Sequence, residues 1–142
     1  MADLAWVRIT RWRETIARLF DDPERLRALK SVNEILIRHS STEAGPAVKY
    51  LAAWLQISLG RSVAVRFEQA GSANTWQIQC VILRGPNFSA SITRSQKGCV
   101  DTTADGLSSH SVFAPLREAD LLREELSVPG RDPIFERVLA SV

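Results

Sequence analysis

Cysteine, methionine and histidine are scarce in this chain: two, one and two among 142 residues. Two cysteines, Cys80 and Cys99, cannot build a disulfide framework, and their spacing matches no zinc pattern. Two histidines, His39 and His110, leave little material for a metal centre or a histidine-based catalytic set, and no catalytic or metal-ligating residue is assigned. An excess of one charge is missing too. The formal net charge is only +2, against the strongly basic balance that a nucleic-acid binder normally carries. No apolar run approaches the roughly 20 residues that span a bilayer, and no basic-then-apolar leader opens the sequence. Neither a nucleic-acid nor a membrane partner is expected, and cytoplasmic residence is. Neither G-x-G-x-x-G nor G-x-x-x-x-G-K-[ST] occurs, so no nucleotide cofactor is called for. Repeats and low-complexity segments are absent.

What remains is ordinary globular material, 45% hydrophobic and 24% charged, long enough for one domain over residues 1–142 with a continuous core. Thr10 reads as the N-cap of a helix whose Trp12, Ile16, Leu19 and Phe20 form one apolar stripe. Glu14 and Arg18 lie opposite, at a favourable i, i+4 spacing. Asp22 caps a short second helix that has Pro23 at its first position and Leu26 and Leu29 inward. "SVNEILIRHS" reads as a strand with Val32, Ile35 and Ile37 inward. The helix "GPAVKYLAAWLQISLG" follows, with Ala47, Leu51, Trp54, Leu55 and Leu59 on one face and Gly60 as its C-cap. "SVAVRF" is again strand-like through Val63, Val65 and Phe67. Strand, short link, helix, short link and strand make a βαβ unit with parallel strands.

Beyond residue 70 the pattern becomes an antiparallel meander. Trp76, Ile78, Cys80 and Ile82 share one face of the first run, and Phe88, Ala90 and Ile92 one face of the next. Two C-terminal helices close the chain: "READLLREEL", with Leu121, Leu122 and Leu126 inward, and "DPIFERVL", with Asp132 capping Pro133. The expected fold is a mixed α/β (α+β) domain with N-terminal helices, the βαβ unit, the meander and two closing helices. The helices should lie mainly on one side of a mixed sheet.

Three sets of residues bear on chemistry. Ser109, His110 and Asp105 are neighbours in sequence, which is not how nucleophile triads are built, and no G-x-S-x-G turn accompanies them. A solvated or hydrogen-bonded His110 is the plainer reading. Arg84, Arg94 and Lys97, with His110 and the serines of "NFSASITRSQKG", could hold an anion such as a sugar phosphate; the plainer reading is the polar face of half-exposed strands. For the cysteines, a turn at Gly85-Pro86-Asn87 pairs position 83 with 88 and Cys80 with Ser91. A turn at Gln96-Lys97-Gly98 then sets Arg94 opposite Cys99. The two thiols fall two strands apart and on opposite faces. Two strand spacings are about 9–10 Å, beyond the ~7 Å that a bridged Cα pair tolerates. Cys80 reads as a buried small hydrophobe and Cys99, beside Lys97 at a turn, as the candidate reactive thiol.

Four tryptophans are many for a domain of this size, and tryptophan and arginine are enriched at interfaces. Trp12, Trp54 and Trp76 have inward positions. Trp6 precedes the helix and either staples the chain onto it or meets a partner.

The order of these segments resembles the glucose-6-phosphate dehydrogenase assembly proteins, OpcA in bacterial usage. The resemblance is carried first by Asp3, Leu4, Trp6, Arg8, Thr10, Trp12 and Arg13, running into Phe20, Asp21 and Pro23. It continues through Leu51, Ala52, Trp54, Leu55, Leu59 and Gly60. It ends on Leu121, Leu122, Glu124, Glu125 and Leu126, then Asp132, Pro133, Phe135 and Leu139. These motifs are similar to those of the C-terminal half of a longer protein, which implies that the absent N-terminal half is a further partner. The resemblance also implies a noncatalytic, allosteric role: binding glucose-6-phosphate dehydrogenase and promoting its active oligomer in the oxidative pentose phosphate pathway. In cyanobacterial members it implies thiol redox control, a role not carried over to Cys80 or Cys99. On this reading Trp6, Arg8, Arg117, Arg123 and Glu124 are the candidate contacts. The rival is a sugar-phosphate sensor built on Arg84, Arg94, Lys97 and His110.

Overall fold

A computed structural model describes residues 4–40, 45–59, 63–69, 78–86, 88–94, 99–104, 107–112 and 133–141. Six strands form one mixed sheet in the order β2-β1-β3-β4-β5-β6. They are β1 (Glu34–His39), β2 (Ala64–Gln69), β3 (Ile78–Gly85), β4 (Phe88–Arg94), β5 (Cys99–Ala104) and β6 (Leu107–Val112). β1 and β2 run parallel on either side of α4 (Pro46–Leu59) in sequence, as a βαβ unit requires. Every other neighbouring pair is antiparallel. The expected mixed α/β class holds.

Alternation along the strands sorts the sheet into two unlike faces. Ile35, Ile37, Val81, Leu83, Ala90, Ile92, Val100 and Ala104 join the helices in one apolar core. On the other face only Leu36, Cys80 and Ile82 form a buried apolar cluster among the described residues. The core face is covered by α1 (Leu4–Arg8), α2 (Thr10–Leu19), α4 and α5 (Pro133–Ser141). α4 is central: it packs on α1, α5 and β1, and its Val48, Tyr50, Leu51, Ala52 and Leu55 are buried around much of its circumference. Gln56 Nε2 donates to the Val63 carbonyl at 3.1 Å, tying the helix to the start of β2.

Several local expectations change. Ile9, not Thr10, occupies the N-cap of α2, at φ −89°, ψ 1° and with no side-chain cap. The chain arrives from the turn of α1 and not from an extended segment, so the β-region geometry of a hydroxyl cap never arises. Glu14 pairs with Arg11 at 3.5 Å, not with Arg18. In α3 (Pro23–Ala28) the Asp22 carboxylate accepts from the Glu24 N–H at 2.8 Å, as expected of a cap. Leu26, however, is 54% exposed, whereas Leu29, in the 3-10 turn Leu29–Ser31, packs on the core. The caps placed at Gly60 and Asp132, Trp76, and the helix at "READLLREEL" lie outside the described residues.

The strand registers are corrected as well. His39 pairs with Ile78 and Arg38 with Cys80, leaving Gln79 as an extra residue in β3. That bulge turns Ile78 into the main core, away from the face of Cys80 and Ile82. Gly85 pairs with Phe88, so the β3–β4 hairpin is two residues tighter than expected and Cys80 faces Thr93 instead of Ser91. A Cβ on Gly85 would run into the Ser31 carbonyl, which only glycine lets pass. Arg94 pairs with Val100, not Cys99. The one-residue difference puts the Cys99 position on the parity of Cys80, so the two thiols are not assigned to opposite faces. Two strand spacings still separate them, which keeps a bridge out of reach. Phe67, expected inward, is 44% exposed: β2 is an edge strand, and the helix layer reaches Val65 but stops short of Phe67.

Candidate functional site: a half-open apolar pocket between two helices

The question of Trp6 is settled by packing. Its ring is 3% exposed and lies 6.5 Å from Tyr50 and 5.1 Å from Phe135, which are themselves 5.7 Å apart. Three helices, α1, α4 and α5, thus share one aromatic cluster. Arg13 lays its guanidinium 3.9 Å over the Trp6 ring, a cation–π contact from the next helix. As a contact for a partner, Trp6 is corrected: its ring is spent at home. Arg8 is exposed at the last turn of α1. Arg117, Arg123 and Glu124 lie outside the described residues.

Of the anion set, Arg84 and Arg94 are not brought together. Arg84 stands opposite Ser89 and Arg94 opposite Val100, five residues further along β4. Five residues of antiparallel strand are roughly 17 Å. They also differ in face: Arg84 shares the parity of Cys80 and Ile82, whereas Arg94 shares that of Phe88, Ala90 and Ile92, toward the core. Burial there pulls the pKa of Arg94 below its usual value. His110 occupies the register position opposite Asp101; its side chain, that of Cys99, and Lys97 are outside the description. Cys80 is a buried free thiol whose Sγ lies 3.3 Å from the Thr93 hydroxyl, consistent with a packed core residue.

A different site emerges where residues of α2 and α4 line a common cavity. Ile16 and Leu19 on α2 and Leu51 and Leu55 on α4 are buried, and residues of both helices line one pocket. Its volume is about 240 Å³. Its floor is Ile16, Leu55 and Leu83, all buried. Its walls are the half-buried Phe20, Leu29, Trp54 and Leu59. Ala17 and Ser58, both exposed, flank the mouth. The lining is almost wholly carbon, and such a surface is wetted only at a cost. Each lining apolar residue of α2 and α4 except Ala17 belongs to a stripe legible in the sequence. That these residues line a cavity is not.

Among the described residues no group of three or more histidine, cysteine or acidic side chains could hold a metal ion. No described helix is long and apolar enough to cross a membrane.

A family model described as the C-terminal domain of the glucose-6-phosphate dehydrogenase subunit matches residues 1–139. The chain belongs to that family. The match runs through the N-terminal helices, the βαβ unit, the meander and α5, so the pocket and the aromatic cluster are both parts of the family's domain. No curated protein matches the chain.

Proposed function

We propose that this domain is a noncatalytic, cytoplasmic regulator that binds glucose-6-phosphate dehydrogenase and promotes its active oligomer in the oxidative pentose phosphate pathway. The observation that carries the reading is the family match over residues 1–139, whose description names that enzyme. The pocket between α2 and α4 is the contact we assign. It offers concave apolar surface flanked by the exposed Ala17 and Ser58, suited to an apolar anchor of the enzyme. Arg8, exposed on α1, is a second contact in this reading.

Activation follows from differential binding. A domain that holds the active oligomer more tightly than the inactive form shifts the population toward the former. A tenfold shift requires only about 1.4 kcal/mol of difference, which one buried apolar anchor can supply.

The test is titration of the chain into the dehydrogenase, reading binding by calorimetry and the oligomer by sedimentation. Ala17→Arg and Ser58→Arg place long charged side chains at exposed positions beside the mouth. Each is expected to weaken binding tenfold or more while the chain's melting temperature stays put. Binding unaffected by both would move the contact elsewhere; absence of binding by the wild-type chain would refute the reading.

A further inference from the structure

We infer that the exposed edge of β2 pairs with β2 of a second copy of this chain, antiparallel and centred on Phe67. The inference is independent of the dehydrogenase reading.

β2 ends the described sheet, so among the described residues its outer backbone groups have no ladder of the kind that every interior strand has. It is exposed along nearly its whole length, and Phe67 is one of the few large apolar side chains left in solvent. In register, Phe67 continues a row that runs through Ile37 and Val81, both buried. An apolar row therefore reaches the edge and stops uncovered. On the opposite face β2 carries Arg66 and Glu68, one residue to either side of Phe67. Arg66 Nη1 sits 3.0 Å from Glu34 Oε1, and Arg38 Nε 3.5 Å from Glu68 Oε1. Both pairs remain solvent-facing, with side-chain exposures of 64% for Arg66 and 46% for Glu68.

These charges select the partner and the register. A two-fold axis perpendicular to the sheet keeps each face on its own side and pairs β2 with itself about one residue. Centred on Phe67, the pairing sets Arg66 opposite Glu68 of the other copy, twice over, and Phe67 opposite Phe67. Centred on Arg66 or on Glu68, it would set like charges directly opposite each other, which is unfavourable. The one register that satisfies the charges is the one that covers the exposed ring. The dimer also extends the Arg38–Glu68 pair into a row of alternating sign across the interface.

Sedimentation of the full chain across a concentration series is expected to show a monomer–dimer equilibrium that weakens with added salt. Phe67→Lys should weaken the dimer at least tenfold with the circular dichroism spectrum unchanged. Arg66→Glu, which sets a second carboxylate against Glu68 of the other copy, should weaken it as well and serves if the lysine variant misfolds. Register is read by cross-linking in a Cys99→Ser background. Phe67→Cys should bridge to its copy under mild oxidation, because directly opposed Cα atoms lie about 4.5–5.5 Å apart, within disulfide reach. Val65→Cys should not, being opposite Gln69 of the other copy. A chain monomeric at every concentration, a dimer indifferent to both substitutions, or bridging at 65 and not at 67 would each overturn the inference. So would a monomer whose Phe67→Lys variant loses the dehydrogenase, which would assign the edge to the enzyme.

Discussion

β1 and β2 are parallel neighbours of the same length, yet one is among the most buried segments of the molecule and the other among the most exposed. In β1, Ile35, Leu36, Ile37 and His39 are all buried. In β2 no residue is, and its Phe67, directly beside Ile37, stands largely in solvent. Local composition does not make the difference. β1 has a strand on each side and the central helix above it; among the described strands β2 has one neighbour, and only its Val65 packs against the core. Strand propensity and lateral position are separate facts, and only the second decides what a side chain contributes.

Cutting the same row at two points breaks or confirms that contrast. Ile37→Ala should lower unfolding free energy by about 2–5 kcal/mol, as buried aliphatic truncations do. Phe67→Ala, one strand away, should change it by no more than about 0.5 kcal/mol under dilute, monomeric conditions. Denaturant titration of both variants measures this, and equal losses would mean that β2 is covered.

Gly85→Ala probes the closed side of the sheet, where β3 passes the 3-10 turn ahead of β1. The new methyl would meet the Ser31 carbonyl carbon at 2.8 Å, and the backbone shift should cost about 1–3 kcal/mol in the same assay. Thr102 lies on the Phe67 row, through Ile37, Val81 and Ile92, one strand short of Ser109 on β6. It is buried and its hydroxyl has no hydrogen-bond partner among the described residues. Thr102→Val removes that cost at nearly constant shape and should raise stability by up to about 1 kcal/mol. The smallest effect belongs to Glu34→Gln, which discharges the solvent-screened pair with Arg66 across β1 and β2. Its loss should be under about 1 kcal/mol and should shrink with salt.

What the sequence made legible was local. The stripe of Trp12, Ile16 and Leu19, the Asp22 cap and the strand at Ile35 and Ile37 are written in spacings of a few residues. The parallel β1–β2 pair followed from link lengths. Phe67 was misplaced because nothing in "SVAVRF" says that this strand ends the described sheet. Ile78 was misplaced by a single bulged residue, Gln79, and Arg84 and Arg94 were grouped although their registers set them on opposite faces. Trp6 was ambiguous because its ring partners, Tyr50 and Phe135, come from helices far along the chain. The pocket was the least legible feature, since it depends on how residues of two correctly read helices meet Phe20, Leu29 and Leu83 in space.

That pocket is also where the functional account is most exposed to refutation. The most direct measurement is calorimetric titration of the chain against glucose-6-phosphate dehydrogenase, wild-type beside Ala17→Arg, with glucose 6-phosphate alone as the third titrant. Saturable binding to the enzyme, reduced tenfold or more by the substitution and accompanied by no response to the sugar phosphate, is the predicted result. A sugar-phosphate response without enzyme binding would contradict it.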